Sequence, residues 1–152
     1  MNSKSDRNRI LLKWVRLAVW GILAVFLSRQ SGLQTSALSY GISEIIRRLF
    51  ENIGIQLDIE LINYLLRKLA HLIIYLVLGG LVYDTLSCTV RKSKKAALSL
   101  SVVVCLIISA LDEAQKFFIP GRHGDVGEIV LNSIAAAAGI FAVSFLNGER
   151  KT

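Results

Sequence analysis

The sequence has one proline, two cysteines and few charges, with only 19% Asp, Glu, Lys and Arg. Soluble domains usually run near a quarter charged. Long polar tracts are missing as well, which excludes a disordered, collagen-like or repeat architecture. Two cysteines make no zinc motif, and Cys88 and Cys105 fall where a structural disulfide is not expected. There is no Ser-His-Asp order, no P-loop and no dinucleotide glycine motif. Apolar residues make up 53% of the chain, and mean hydropathy is +0.54. The net charge is +7 over 152 residues, a length that suits one domain. A nucleic-acid binder would share that charge but not that hydropathy, so no nucleic-acid partner is expected. The chain reads as a small integral membrane protein with the lipid bilayer as its solvent.

Four apolar segments are long enough to cross, at about residues 14–28, 69–87, 96–111 and 129–146. A bilayer core needs roughly 20 helical residues, and about 17 suffice when flanking side chains snorkel. The first segment follows basic residues as a signal peptide would. It lacks an A-x-A cleavage site and is read as a retained helix. The predicted architecture is all-α: a membrane four-helix bundle in one domain, residues 1–152.

Basic residues set the orientation. Lys4, Arg7, Arg9, Lys13 and Arg16 precede or open the first span, Arg91, Lys92, Lys94 and Lys95 join the second to the third, and Arg150 and Lys151 end the chain. Only Asp6, Asp84 and Glu149 oppose them. The remaining charges nearly cancel. This asymmetry predicts cytoplasmic termini.

The segment between the first two spans is then external. Ile42, Ile45, Ile46, Leu49, Phe50 and Ile53 share one helical face, with Glu44, Arg47, Arg48 and Glu51 around the rest. The pattern predicts an amphipathic helix on the membrane surface, or a cap packed on the bundle. Asp58 is placed to cap a helix that begins at Ile59 and runs into the second span.

Polar residues collect at one end of the bundle. Lys68, His71 and Tyr75 open the second span, Asp112, Glu113, Gln115 and Lys116 close the third, Arg122 and Asp125 sit in the link, and Glu128 and Asn132 open the fourth. At 100° per residue, Lys68, His71 and Tyr75 fall within about 60°. Glu128, Asn132, Ala135 and Gly139 also fall within about 60°, a face polar at one end and small further in. Small residues let backbones approach, so this face is expected to pack on another helix.

Ionisable groups in membrane helices are functional candidates by default, although charges at helix ends also occur simply at headgroup level. His71 with Glu113 or Asp112 suits general acid–base work. Lys68 and Arg122 suit a phosphate or carboxylate. No ligand spacing supports a metal, and no cofactor is expected.

These residues carry a resemblance. Lys68, His71 and Tyr75, followed by Leu78 and Gly79, are similar to the K-x-x-H-x-x-x-Y start of a VanZ-like domain. Asp112, Glu113, Gln115, Phe117, Pro120, Gly121 and Arg122 closely resemble the D-E-x-x-Q-x-F-x-P-G-R segment of that family, with Gln115 two residues after Glu113 where three is commoner. Glu128 and Asn132 look like its D-x-x-x-N pair, Gly139 falls near its glycine-rich end, and Ser28, Gln30 and Gly32 resemble the exit of its first span. The likeness covers about residues 20–146. Glu128 stands where the family usually has Asp, Ile74 where it often has Glu, and Asp125 has no counterpart.

The resemblance implies a bacterial cytoplasmic-membrane protein of the cell envelope. Family members are linked to reduced susceptibility to teicoplanin, an acylated antibiotic that acts on peptidoglycan precursors at the outer membrane face. The expectation is an external-leaflet site that recognises or modifies an envelope lipid, a lipid-linked peptidoglycan precursor or a lipoglycopeptide. His71, Glu113 and Asp112 are the catalytic candidates. Lys68, Tyr75, Gln115, Arg122, Glu128 and Asn132 are the ligand-binding ones. Two alternatives stay open. One is a non-catalytic interaction protein whose polar layer locks the helices together. The other is a small lipid or proton-coupled transporter, although four helices are few and no inverted repeat shows.

Overall fold

The computed structural model describes residues 3–29, 32–90, 93–119 and 124–149, and among them every regular element is helical. The elements are α1 (Ser3–Arg29), α2 (Gly32–Glu51), α3 (Ile59–Thr89), α4 (Lys94–Lys116) and α5 (Val126–Glu149). Four of them, all but α2, are long and apolar enough to span a membrane. Each of the four runs past the apolar segment that marks it in the sequence. The added turns carry Lys68 on α3 and Asp112, Glu113, Gln115 and Lys116 on α4, so those side chains stand on regular helix and not on loops.

Local chemistry sets the helix ends. Asp58 caps α3 by accepting from the Glu60 amide at 3.0 Å, as its position predicts. Ser93 caps α4 through the Ala96 amide at 3.0 Å. Asp125 accepts from the Gly127 amide at 2.8 Å at the start of α5, which gives this residue a capping role. Gly54, with φ +80°, turns the chain between α2 and α3 in the left-handed region that glycine enters without strain.

The core is the seam between α3 and α5. A Cβ on Gly79 would overlap the Ala136 carbonyl, and one on Gly139 would overlap the Leu76 carbonyl. The small face foreseen on α5 therefore meets α3 backbone to backbone. Leu78, Val82, Tyr83, Ala136 and Ile140 fill the seam. Helix α4 closes it with the small row Ala97, Ser101, Cys105 and Ser109. Ser101 bonds back to the Ala97 carbonyl at 2.7 Å, as Thr85 does to Leu81, so these buried hydroxyls are satisfied within their own helices.

Helix α1 stands at the periphery. Its Lys13 Nζ reaches Asp84 Oδ1 at 2.7 Å and Cys88 Sγ at 3.0 Å on α3, Trp20 Nε1 donates to the Ile74 carbonyl at 3.1 Å, and Leu17 and Trp20 pack against the core. Its Val19, Ile22 and Phe26 are exposed, as are Leu106, Leu111, Ile134, Phe141 and Phe145 on α4 and α5. A belt of large apolar side chains on the outside is what a hydrocarbon solvent permits and water does not.

Helix α2 packs on the bundle and is amphipathic. It packs beside the start of α3, with Ser43 buried and Tyr40 donating to Glu60. Its apolar row of Ile42, Ile45 and Leu49 stays uncovered, and Ile53, expected on the same face, is exposed in the turn after the helix ends. On the charged face, hydrogen bonds from Arg47 and Arg48 hold the Glu44 carboxyl down at about 2.

Candidate functional site

The polar residues gather where α3 and α5 begin and α4 ends. They divide into two groups. The first is an alternating chain of charges. Lys68 on α3 donates to Glu128 Oε1 on α5 at 2.9 Å. Lys116 on α4 donates to Glu128 Oε2 at 2.7 Å and to Glu113 Oε1 at 2.5 Å. The Asp125 amide completes the chain by donating to Glu113 Oε2 at 3.0 Å. Two ammonium groups and two carboxylates balance, which is the condition for burying them. The Lys116 and Glu113 side chains are each only 3% exposed. Lys116 therefore does not snorkel to headgroup level but bridges two helices from inside. Lys68 also lies over the Tyr64 ring, 5.4 Å from its centre.

The second group is less satisfied. Gln115 Nε2 donates to Asp112 Oδ1 at 2.6 Å and reaches Ser28 Oγ on α1 at 3.4 Å. Tyr75, 4% exposed, lies beside Asp112 and Ser109. Asp112 Oδ2, Ser109 Oγ and Asn132 Nδ2 are buried without a hydrogen-bond partner among the described residues. Such atoms cost about 1–3 kcal/mol each unless something bonds to them.

Two clefts open beside these atoms. One, of about 290 Å³, lies between α1 and the α3–α4 pair. Gly21, Ala24, Leu78, Ile108 and Leu111 make its apolar length, and His71, Tyr75, Asp112 and Gln115 its polar end. The other, of about 220 Å³, lies between α3 and α5, with Tyr64, Arg67, Lys68, His71, Glu128 and Asn132 in its wall. His71 borders both.

Of the expected site residues, Lys68, Glu113 and Glu128 enter the charge chain. His71, Tyr75, Asp112, Gln115 and Asn132 border the clefts. Both oxygens of Glu113 are occupied, whereas His71 and Asp112 line the clefts. Arg122 lies outside the described residues, as do Gln30, Pro120 and Gly121. Sequence reasoning passed over Arg67, although on the helical wheel it lies about 40° from His71. It also passed over the bridging role of Lys116, whose three-residue spacing from Glu113 was the available signal. The described residues contain no cluster of His, Cys, Asp or Glu fit for a metal.

The helices and the layer define a small multispan membrane protein with a polar site at one end of its bundle. A family model described as VanZ/LLP1 matches residues 13–147, and the chain belongs to that family. Comparison with curated proteins and with solved structures gives no match.

Proposed function

We infer that this protein recognises an amphiphile of the bacterial cell envelope. Its polar end faces outward from the cytoplasmic membrane, with both termini inside. The ligand is an envelope lipid, a lipid-linked precursor or an acylated lipoglycopeptide. The observation that carries this reading is the cleft between α1 and the α3–α4 pair, apolar along its length and polar at one end. An acyl chain matches the first part. A head with hydroxyl or amine donors matches Asp112 Oδ2, which is buried and unpartnered among the described residues. The peripheral position of α1, with Val19, Ile22 and Phe26 exposed, supports entry from the bilayer. If the site modifies its ligand as well, His71 and Asp112 are the groups placed for proton transfer.

The test is teicoplanin susceptibility, with vancomycin alongside, in a susceptible bacterial host at matched membrane levels. Wild type is expected to protect selectively against the acylated drug, and His71→Ala and Asp112→Asn to lose that protection. Absence of protection by wild type removes the lipoglycopeptide from the reading.

A second reading has its own observation. The chain Lys68, Glu128, Lys116 and Glu113 joins three helices and can serve as a lock in a non-catalytic interaction protein. Under it, Glu113→Gln lowers abundance while His71→Ala and Asp112→Asn change nothing.

A further inference from the structure

We propose that the cleft between α3 and α5 is a phosphate site, built to hold a phosphate-bearing group by Arg67, Lys68 and the Asn132 amide. The inference rests on the amphiphile reading above and names the chemistry of the head.

Four observations lead there. Arg67 is half-buried in the cleft wall and makes no ion pair among the described residues, whereas Lys68 and Lys116 both pair with Glu128. A guanidinium offers a planar fork of donors that fits two phosphate oxygens at once. Asn132, 2% exposed, borders the same cleft, and its Nδ2 is a buried donor with no partner among the described residues. A buried donor in a cleft wall calls for an acceptor. Glu128, the acidic residue of the wall, is neutralised from two sides by Lys68 and Lys116. With its charge cancelled, the cleft keeps the positive charge of Arg67. Finally, Tyr64 lies beside Lys68 about one turn nearer the start of α3, and aromatic rings and basic side chains together belong at headgroup depth.

His71 lines both clefts, so a headgroup in one lies next to the apolar cleft that suits an acyl chain. The site thereby narrows the amphiphile to one carrying phosphate. A soluble phosphate shares the chemistry of the head without the chain.

The experiment is native mass spectrometry on the full chain, delipidated in detergent. Dioleoylphosphatidylglycerol, dioleoylglycerol or inorganic phosphate is added in separate arms. Wild type is expected to hold the phosphatidylglycerol at least about tenfold more tightly than dioleoylglycerol. Arg67→Gln removes most of that difference and leaves the helical circular dichroism unchanged, because Arg67 is no part of the charge chain. Asn132→Asp keeps the shape and turns a donor into a repelling carboxylate, so it weakens phosphatidylglycerol further. Arg48→Gln removes the same charge from α2, outside the cleft, and leaves binding as it was. Inorganic phosphate that binds with the same dependence on Arg67 while phosphatidylglycerol does not would keep the phosphate site and assign it to a soluble ligand. Equal binding of the two lipids, or binding of phosphatidylglycerol indifferent to Arg67→Gln, overturns the phosphate site. If both lipids bind equally and both are lost on Ala24→Trp, which fills the apolar cleft, the amphiphile reading survives without it. If neither lipid nor phosphate binds to wild type, both fall.

Discussion

Lys116 shows what the charge chain does for a single residue. Its ammonium is buried between Glu113 and Glu128, which come from different helices. Replacing it by methionine keeps the bulk and removes the charge. Glu113 then stays buried with only the Asp125 amide to bond, while Glu128 retains Lys68. Breaking a buried pair from one side costs about 3–5 kcal/mol, because the stranded charge has lost its solvation. Lys116→Met is therefore expected to lower the thermal unfolding midpoint in detergent markedly. Adding Glu113→Gln removes the stranded charge and should restore much of the loss. Additive losses in the double variant would show that the two residues act independently. Asp112 is the contrasting case. One oxygen is held by Gln115 and the other has no hydrogen-bond partner among the described residues, so Asp112→Asn should be mild for stability. A large effect of that change on protection, together with a small effect on unfolding, separates the site from the lock.

At the level of elements, the seam of α3 and α5 is the least forgiving part of the molecule. No side chain fits at Gly79 or Gly139, since the atoms in the way are backbone carbonyls and not mobile tips. Gly139→Val is expected to force the two helices apart and to abolish accumulation in the membrane, read by immunoblot of isolated membranes. Gly21→Ala and Gly41→Ala meet nothing within 4 Å and should accumulate normally. The same elements show how far the sequence could be read. Periodicity identified the small face of α5, the apolar row of α2 and the cap at Asp58, because each is local to one helix. It could not say that α5 meets α3 along the whole seam, since a helical wheel gives a face and not a partner. For the same reason the layer was legible as a layer, but its division was not. Lys68, Glu113 and Glu128 read like Asp112 and Asn132 in the sequence. Only the packing of three helices decides which of them find partners. Lys13 and Asp84 were both placed at the opposite end of the bundle, yet their pairing needed the crossing of α1 and α3.

The whole molecule is polarised along its axis, and its function depends on which way that axis points. The charge chain and both clefts lie at the end where α3 and α5 begin. Lys94 and Lys95 stand exposed at the other end, where α4 starts, on the same side as the basic N-terminal turns of α1. The positive-inside rule assigns that basic end to the cytoplasm and the clefts to the outer leaflet. The assignment is testable in a variant with Cys88→Ser and Cys105→Ser. To it is added either Asn52→Cys, exposed in the turn after α2, or Lys94→Cys, exposed at the start of α4. In intact cells a membrane-impermeant maleimide should label the first, and label the second only after permeabilisation. The reverse pattern would put the clefts on the cytoplasmic side, beyond the reach of an antibiotic that acts outside. A phosphate site would survive that reversal, because phospholipid headgroups line both leaflets. Orientation and headgroup binding are thus independent measurements. Outward orientation with binding that depends on Arg67 joins them into one account, in which a lipid-linked phosphate is met at the outer face. Inward orientation with the same binding leaves a lipid-binding protein of the inner leaflet.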